Sequence, residues 1–170
     1  MPNITQFRPD ADNTRTLRDA FGRFASGITI VTAPSLDGPV GITASSFSSL
    51  SLDPPLVLWS PDAGSRRFPY FERAPHFAIH VLAAEQADLC HAFARSAHAF
   101  EDAVVTTNEH GVPLIDGCLA RFECALRAIH PGGDHRIVVG EVLRAEMREG
   151  EALAFYAGQL QTLPRRAMAG

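Results

Sequence analysis

The chain has 170 residues with a formal net charge of −4; 46% are hydrophobic and 20% charged. Those values fit one soluble globular domain with a proper core, and they argue against disorder and against a nucleic-acid binder, which usually carries a basic face. No apolar run approaches the roughly 18–20 residues that cross a bilayer, and Met1-Pro-Asn-Ile-Thr-Gln6 lacks a secretory signal, so a cytoplasmic protein is expected.

No repeat or low-complexity tract interrupts the pattern. It suggests one domain over residues 13–160, between an N-terminal arm (1–12) and a C-terminal tail (161–170). Leu17, Ala20, Phe21 and Phe24 recur at helical spacing, with Asn13 or Thr14 as N-cap and Gly27 past the end. Residues 28–32 read as a strand, Asp37-Gly38 as a hairpin turn, and 40–45 and 56–60 as two further strands. A short helix is expected at 65–73, limited by Pro69, then a strand at 76–82 and a helix at 85–94. A loop runs to Gly117. Strands are expected at 119–130, 136–147 and 153–156, the first two separated by Pro131-Gly-Gly-Asp-His135. Roughly seven strands with helices placed irregularly among them imply a mainly β fold with peripheral helices, a closed or split antiparallel barrel. A doubly wound fold would need a regular strand–helix alternation.

All fifteen basic residues are arginine, which excludes Schiff-base and lysine-nucleophile chemistry. Cys90, Cys118 and Cys124 form no C-x-x-C pair and read as reduced thiols. His76 and His80 lie on a strand pattern, where i,i+4 places two imidazoles about 13 Å apart, so no metal site is expected. The G-x-S-x-G elbow, P-loop, H-E-x-x-H and G-x-G-x-x-G fingerprints are all missing. Adjacent Asp134 and His135 do not suit the relay geometry of a hydrolase triad.

The most informative stretch is Val40-Gly-Ile-Thr-Ala-Ser-Ser-Phe-Ser-Ser-Leu-Ser-Leu-Asp-Pro-Pro55, crowded with hydroxyls and poor in charge. Small hydroxyl residues let a ligand approach the backbone and can both donate and accept hydrogen bonds. Such a surface suits a large, flat, polar-edged ligand. Two further motifs are Ser60-Pro-Asp-Ala-Gly-Ser-Arg66 and Gly133-Asp-His135.

Together these segments resemble the flavin reductase-like, FMN-binding split-barrel family, over about residues 17–160. The resemblance implies a split β-barrel that binds FMN or FAD, takes a hydride from NADH or NADPH, and supplies reduced flavin to a partner monooxygenase. It also implies a homodimer. By the same resemblance Thr43, Ala44, Ser45 and Ser46 line the flavin. Ser60, Pro61, Asp62, Ser65 and Arg66 form the phosphate corner, where a Ser65 N-cap and a helix N-terminus would favour an anion. Phe93 would line the cleft, Arg95 would face the phosphate, and His135 would sit by the flavin and the nicotinamide as the catalytic residue.

The chain departs from the family pattern at three places. Arg67 stands where Thr is common, Ala99 where Lys precedes Phe100, and Gln159-Leu160 where Arg-Tyr closes the domain. An FMN-retaining electron carrier or sensor, and a relative that no longer binds flavin, remain alternatives. FMN against FAD, and NADH against NADPH, stay open.

Overall fold

A computed structural model describes residues 4–165, so the first three residues of the expected arm and the last five of the expected tail lie outside the described residues. In chain order the elements are α1 (Thr14–Phe21), β1 (Ser26–Gly27), β2 (Thr29–Ala33), β3 (Val40–Ala44), β4 (Ser48–Leu52) and β5 (Pro55–Trp59). They continue with α2 (Phe68–Arg73), β6 (His76–Val81), a 3-10 turn (Ala84–Gln86), α3 (Ala87–Arg95), β7 (Val105–Thr107) and β8 (Pro113–Ile115). The chain ends on two antiparallel pairs, β9 (Ala120–Gly132) with β10 (His135–Met147), and β11 (Ala152–Tyr156) with β12 (Gln159–Leu163).

Seven strands form one antiparallel sheet in the order β3-β2-β6-β9-β10-β5-β4. Its two edge strands are consecutive in the chain, joined only by Ser45, Ser46 and Phe47. A flat sheet of that size would separate its edges by about 29 Å at 4.8 Å per step. The connection can span at most about 14 Å. The sheet must therefore roll until β3 and β4 approach, and no ladder joins them. The result is a barrel split along one seam, and the hydroxyl-rich segment is that seam.

The roll explains the burial. β2 is buried at all five positions because one face lines the barrel interior and the other lies under α3. Inside, Trp59 packs edge-on to Phe71 at 5.1 Å, with Phe68, Phe77, Ile79 and Val138 around them. Outside, Leu89, Cys90 and Phe93 of α3 cover Ile28, Ile30, Leu82 and Ile115. A Cβ on Gly41 would fall 2.5 Å from the buried Phe93 ring, so the absence of a side chain there lets α3 lie against β3.

Five strands escape the sequence pattern. β4 is a mostly exposed edge strand of serines and leucines, β1 has two residues, β7 and β8 form a hairpin within the expected loop, and β12 follows the Ala157-Gly158 turn. β12 runs to Leu163, three residues past the expected domain end. The double proline sits at the β4–β5 turn, with Pro55 as first residue of its strand, where a missing N–H is tolerated. α1 stops at Phe21 and leaves Phe24 beyond it; α2 starts only at Phe68. Pro69 lacks the N–H that would return to the Ser65 carbonyl, so it belongs in the first turn and not deeper.

Candidate active site at the barrel seam

Three segments far apart in sequence meet where β3 leaves the sheet. Ser46 Oγ accepts from Ser60 N at 2.9 Å and lies 3.2 Å from Ser60 O, fastening the seam to the exit of β5. The loop after Ser60 is in turn fastened to the β9–β10 hairpin. Ala63 N donates to Asp134 O (2.9 Å), Arg136 N donates to Pro61 O (2.9 Å), and Asp62 pairs with His135. Gly133, at φ 71°, makes the turn that presents Asp134 and His135 at the tip. The hydroxyl block, the serine–arginine loop and Gly-Asp-His are thus one place in the fold.

Within that place the side chains divide into engaged and free groups. Thr43 Oγ1 donates to the Cys90 carbonyl of α3 at 2.8 Å, and the Ala44 carbonyl accepts from Thr29 Oγ1 at 2.8 Å. Ser45 is exposed and Pro61 buried. Asp62 Oδ1 accepts from Gly64 N at 2.7 Å, closing the loop on itself. Ser65 does not cap α2: its Oγ accepts from Arg67 N at 3.2 Å, and the residue at the N-cap position is Arg67. Phe93, expected to line the cleft, is fully buried, edge-on to Phe100 at 4.8 Å, within the cluster between α3 and the sheet. Arg66 and Arg95 are exposed, and among the described residues neither makes a hydrogen bond or ion pair.

Contrary to the expectation that chain neighbours do not suit a relay, His135 and Asp134 form its carboxylate–imidazole bond, Nδ1 to Oδ1 at 2.7 Å, because the Gly133 turn folds the two side chains together. The imidazole holds the exposed Asp134 carboxyl below its ordinary range, chiefly through that hydrogen bond. Because a carboxylate only accepts, Nδ1 carries the proton, and Nε2 is left for a ligand.

The residue that sequence reasoning left without a role is Arg67. Its guanidinium reaches α3, donating to the Phe93 carbonyl and, at 3.1 Å, to the Ala94 carbonyl. Burial lowers its pKa below the ordinary arginine value. No local signal marks this contact, since its partners lie 26 and 27 positions away. The residues present fit an anionic, polar-edged ligand: the exposed Arg66 follows the serine-lined loop, and the Arg67 contacts tie that loop to the end of α3, where the exposed Arg95 lines a surface pocket with Ser96, His98, Glu101 and Asp102. A separate cavity of about 570 Å3, lined by Leu89, Ala92, Ile115 and four carboxylates, contains none of the expected site residues.

The arrangement is that of a split β-barrel with a hydroxyl-rich seam. The profile of the flavin reductase like domain matches residues 21–164. The chain is 51% identical over 166 residues to FMN reductase (NADH) SmoA of Agrobacterium fabrum, covering 98% of this chain and 95% of that protein. It is 40% identical over 152 residues to the flavin-dependent monooxygenase reductase subunit HsaB of Rhodococcus jostii, covering 88% and 78%. Among solved structures, the Streptomyces globisporus NADH:FAD oxidoreductase SgcE6 in complex with NAD and FAD fragments superposes with a TM-score of 0.85 at 36% identity, over 96% of this chain and 98% of that one. The chain belongs to the flavin reductase-like family.

Proposed function

We propose that this protein is an NADH:flavin oxidoreductase that reduces FMN, or FAD, and hands reduced flavin to a flavin-dependent monooxygenase. The observation that carries this reading is the hydrogen-bonded meeting of Ser46, the Ser60–Arg66 loop and Asp134-His135 at one open seam. The relatives that act with NADH, or that serve as monooxygenase reductase components, support the donor and the partner.

Flavin supplies the hydride-accepting ring; the protein orients two rings and needs no acid or base for the transfer itself. Thr43, Ala44, Ser45 and Ser46 present the seam edge along which the ring system would lie. Ser60, Pro61, Asp62 and Ser65 shape the corner that would receive the phosphate, and Arg66 and Arg95 would supply charge-assisted bonds to it. Phe93 backs the wall. His135, its Nδ1–H fixed on Asp134, holds Nε2 for a carboxamide or for the developing negative charge at the ring edge.

The unit we propose is a homodimer of one split-barrel domain, working in the cytoplasm. Among the described residues no helix is long and apolar enough to cross a membrane. Ser45, Asp62, Arg66, Arg95 and His135 are all exposed in the single chain, so a second copy would exclude water from the seam. α1 has no buried residue, and Phe21 and Phe24 are 68% and 81% exposed. That apolar face suits a subunit contact.

Turnover tests the reading. Catalytic amounts of protein with excess free FMN should oxidise NADH many times per active site. Anaerobic consumption that stops at one equivalent per bound flavin would assign a retained-flavin carrier instead.

A further inference from the structure

Arg66 and Arg67 are adjacent, yet the structure gives them opposite circumstances. Arg66 is exposed and, among the described residues, without a polar partner. Arg67 is half-buried, with two nitrogens of its fork on consecutive carbonyls, Phe93 O and Ala94 O. These carbonyls belong to the last turn of α3, where the helix leaves acceptors unsatisfied. Ser96 N takes the Ala92 carbonyl at 2.9 Å, and Arg67 takes the next two. A cation at a helix C-terminus is also favoured by the macrodipole. The other side of the same helix is held by Thr43 Oγ1 on Cys90 O. α3 is therefore held from β3 at Cys90 and, in its last turn, from the serine–arginine loop.

The position of the clamp matters more than its strength. Arg67 follows Arg66 directly, and Ala94 precedes Arg95 directly. Binding Arg67 to the Ala94 carbonyl joins the backbone carrying one free guanidinium to the backbone carrying the other. The joint is bidentate, so it fixes orientation as well as distance. We infer that Arg67 is a positioning residue, which sets Arg66 and Arg95 as a preformed pair for the phosphate of the flavin without touching that phosphate itself. This rests on the proposed placement of the phosphate at that corner. Preorganisation of this kind raises affinity by removing the ordering cost from the binding step.

The test is a double-mutant cycle on the full chain, reading FMN and riboflavin affinity by quenching of flavin fluorescence. R67A is expected to weaken FMN about tenfold, as the loss of roughly 1.4 kcal/mol would, and to leave riboflavin, which has no phosphate, nearly unchanged. In the Arg66→Ala, Arg95→Ala background the same R67A change should add almost nothing, because it acts through those two groups. R67K keeps the charge but lacks a fork to span two carbonyls, and should recover only part of the loss.

An R67A effect that persists in full in that background would make Arg67 a direct phosphate ligand and overturn the inference. Equal losses of FMN and riboflavin would reduce Arg67 to a fold contact and also overturn it, as would complete recovery in R67K. If Arg66→Ala and Arg95→Ala themselves leave FMN affinity unchanged, the phosphate placement fails. If they lower it while R67A does not, only the role of Arg67 fails.

Discussion

Arg66 and His135 would face opposite ends of one ligand, so single substitutions should separate binding from chemistry. Arg66→Ala removes one charge-assisted bond, a loss of about 1.5–3 kcal/mol, and should weaken FMN roughly ten- to a hundredfold while sparing riboflavin. Comparative titration checks this, and parallel losses of both flavins would move the phosphate elsewhere. His135→Ala should keep FMN affinity within a few fold and slow flavin reduction in stopped-flow traces with NADH; an unchanged rate would leave Gly133-Asp134-His135 as a turn. The serines and Gly-Asp-His stood out in the sequence as short motifs that the family resemblance placed at one site, and in the fold they do meet at the seam. The engagement of Thr43 with a carbonyl 47 positions away, and of Arg67 with two carbonyls of α3, was not legible in the sequence, since such contacts exist only once the sheet has rolled.

At the scale of elements, legibility followed burial. β2, β5, β6 and the first halves of β9 and β10 pack into the interior and carry apolar or β-branched runs, so the sequence marks them. β4 contributes serines to an exposed edge and reads as loop. The β7–β8 hairpin is short and is held both from outside, where Thr32 Oγ1 donates to Pro113 O at 2.6 Å, and within its own turn, where Asn108 Oδ1 accepts from His110 N and Val112 N at 3.0 Å. α1 is the reverse case, a helix whose periodicity promises a buried face that the single chain does not provide. If a second copy provides it, Phe21→Ser with Phe24→Ser should lower the mass seen by light scattering from twice 18.4 kDa to 18.4 kDa. A wild-type protein already at the single-chain mass would contradict the dimer.

At the scale of the whole molecule, one buried imidazole links the seven-stranded sheet to the β7–β8 hairpin. His80 is fully buried in β6; its Nδ1 lies 3.0 Å from the Ile30 carbonyl, and its Nε2 accepts from Ile115 N at 3.0 Å. It joins β2, β6 and β8 and can do so only when neutral. Burial, against the hydrogen bond to Ile30 and with a smaller contribution from Arg121, lowers its pKa from 6.5 to about 4. Between those values the unfolded chain binds a proton that the folded chain refuses, so stability falls as pH drops from about 6.5 to 4 and levels off below. The loss is on the order of 3 kcal/mol. Urea unfolding at stepped pH should show that slope, and His80→Gln, which keeps a donor and an acceptor, should flatten it. Equal slopes in the two proteins would place the acid sensitivity elsewhere.

The seam itself is testable in one titration. Adding the purified protein to a fixed concentration of FMN should quench the flavin fluorescence to saturation, and Arg66→Ala should move the midpoint to higher protein concentration. Fluorescence that stays unchanged at every protein concentration would contradict flavin binding at the seam, and with it the proposed reductase.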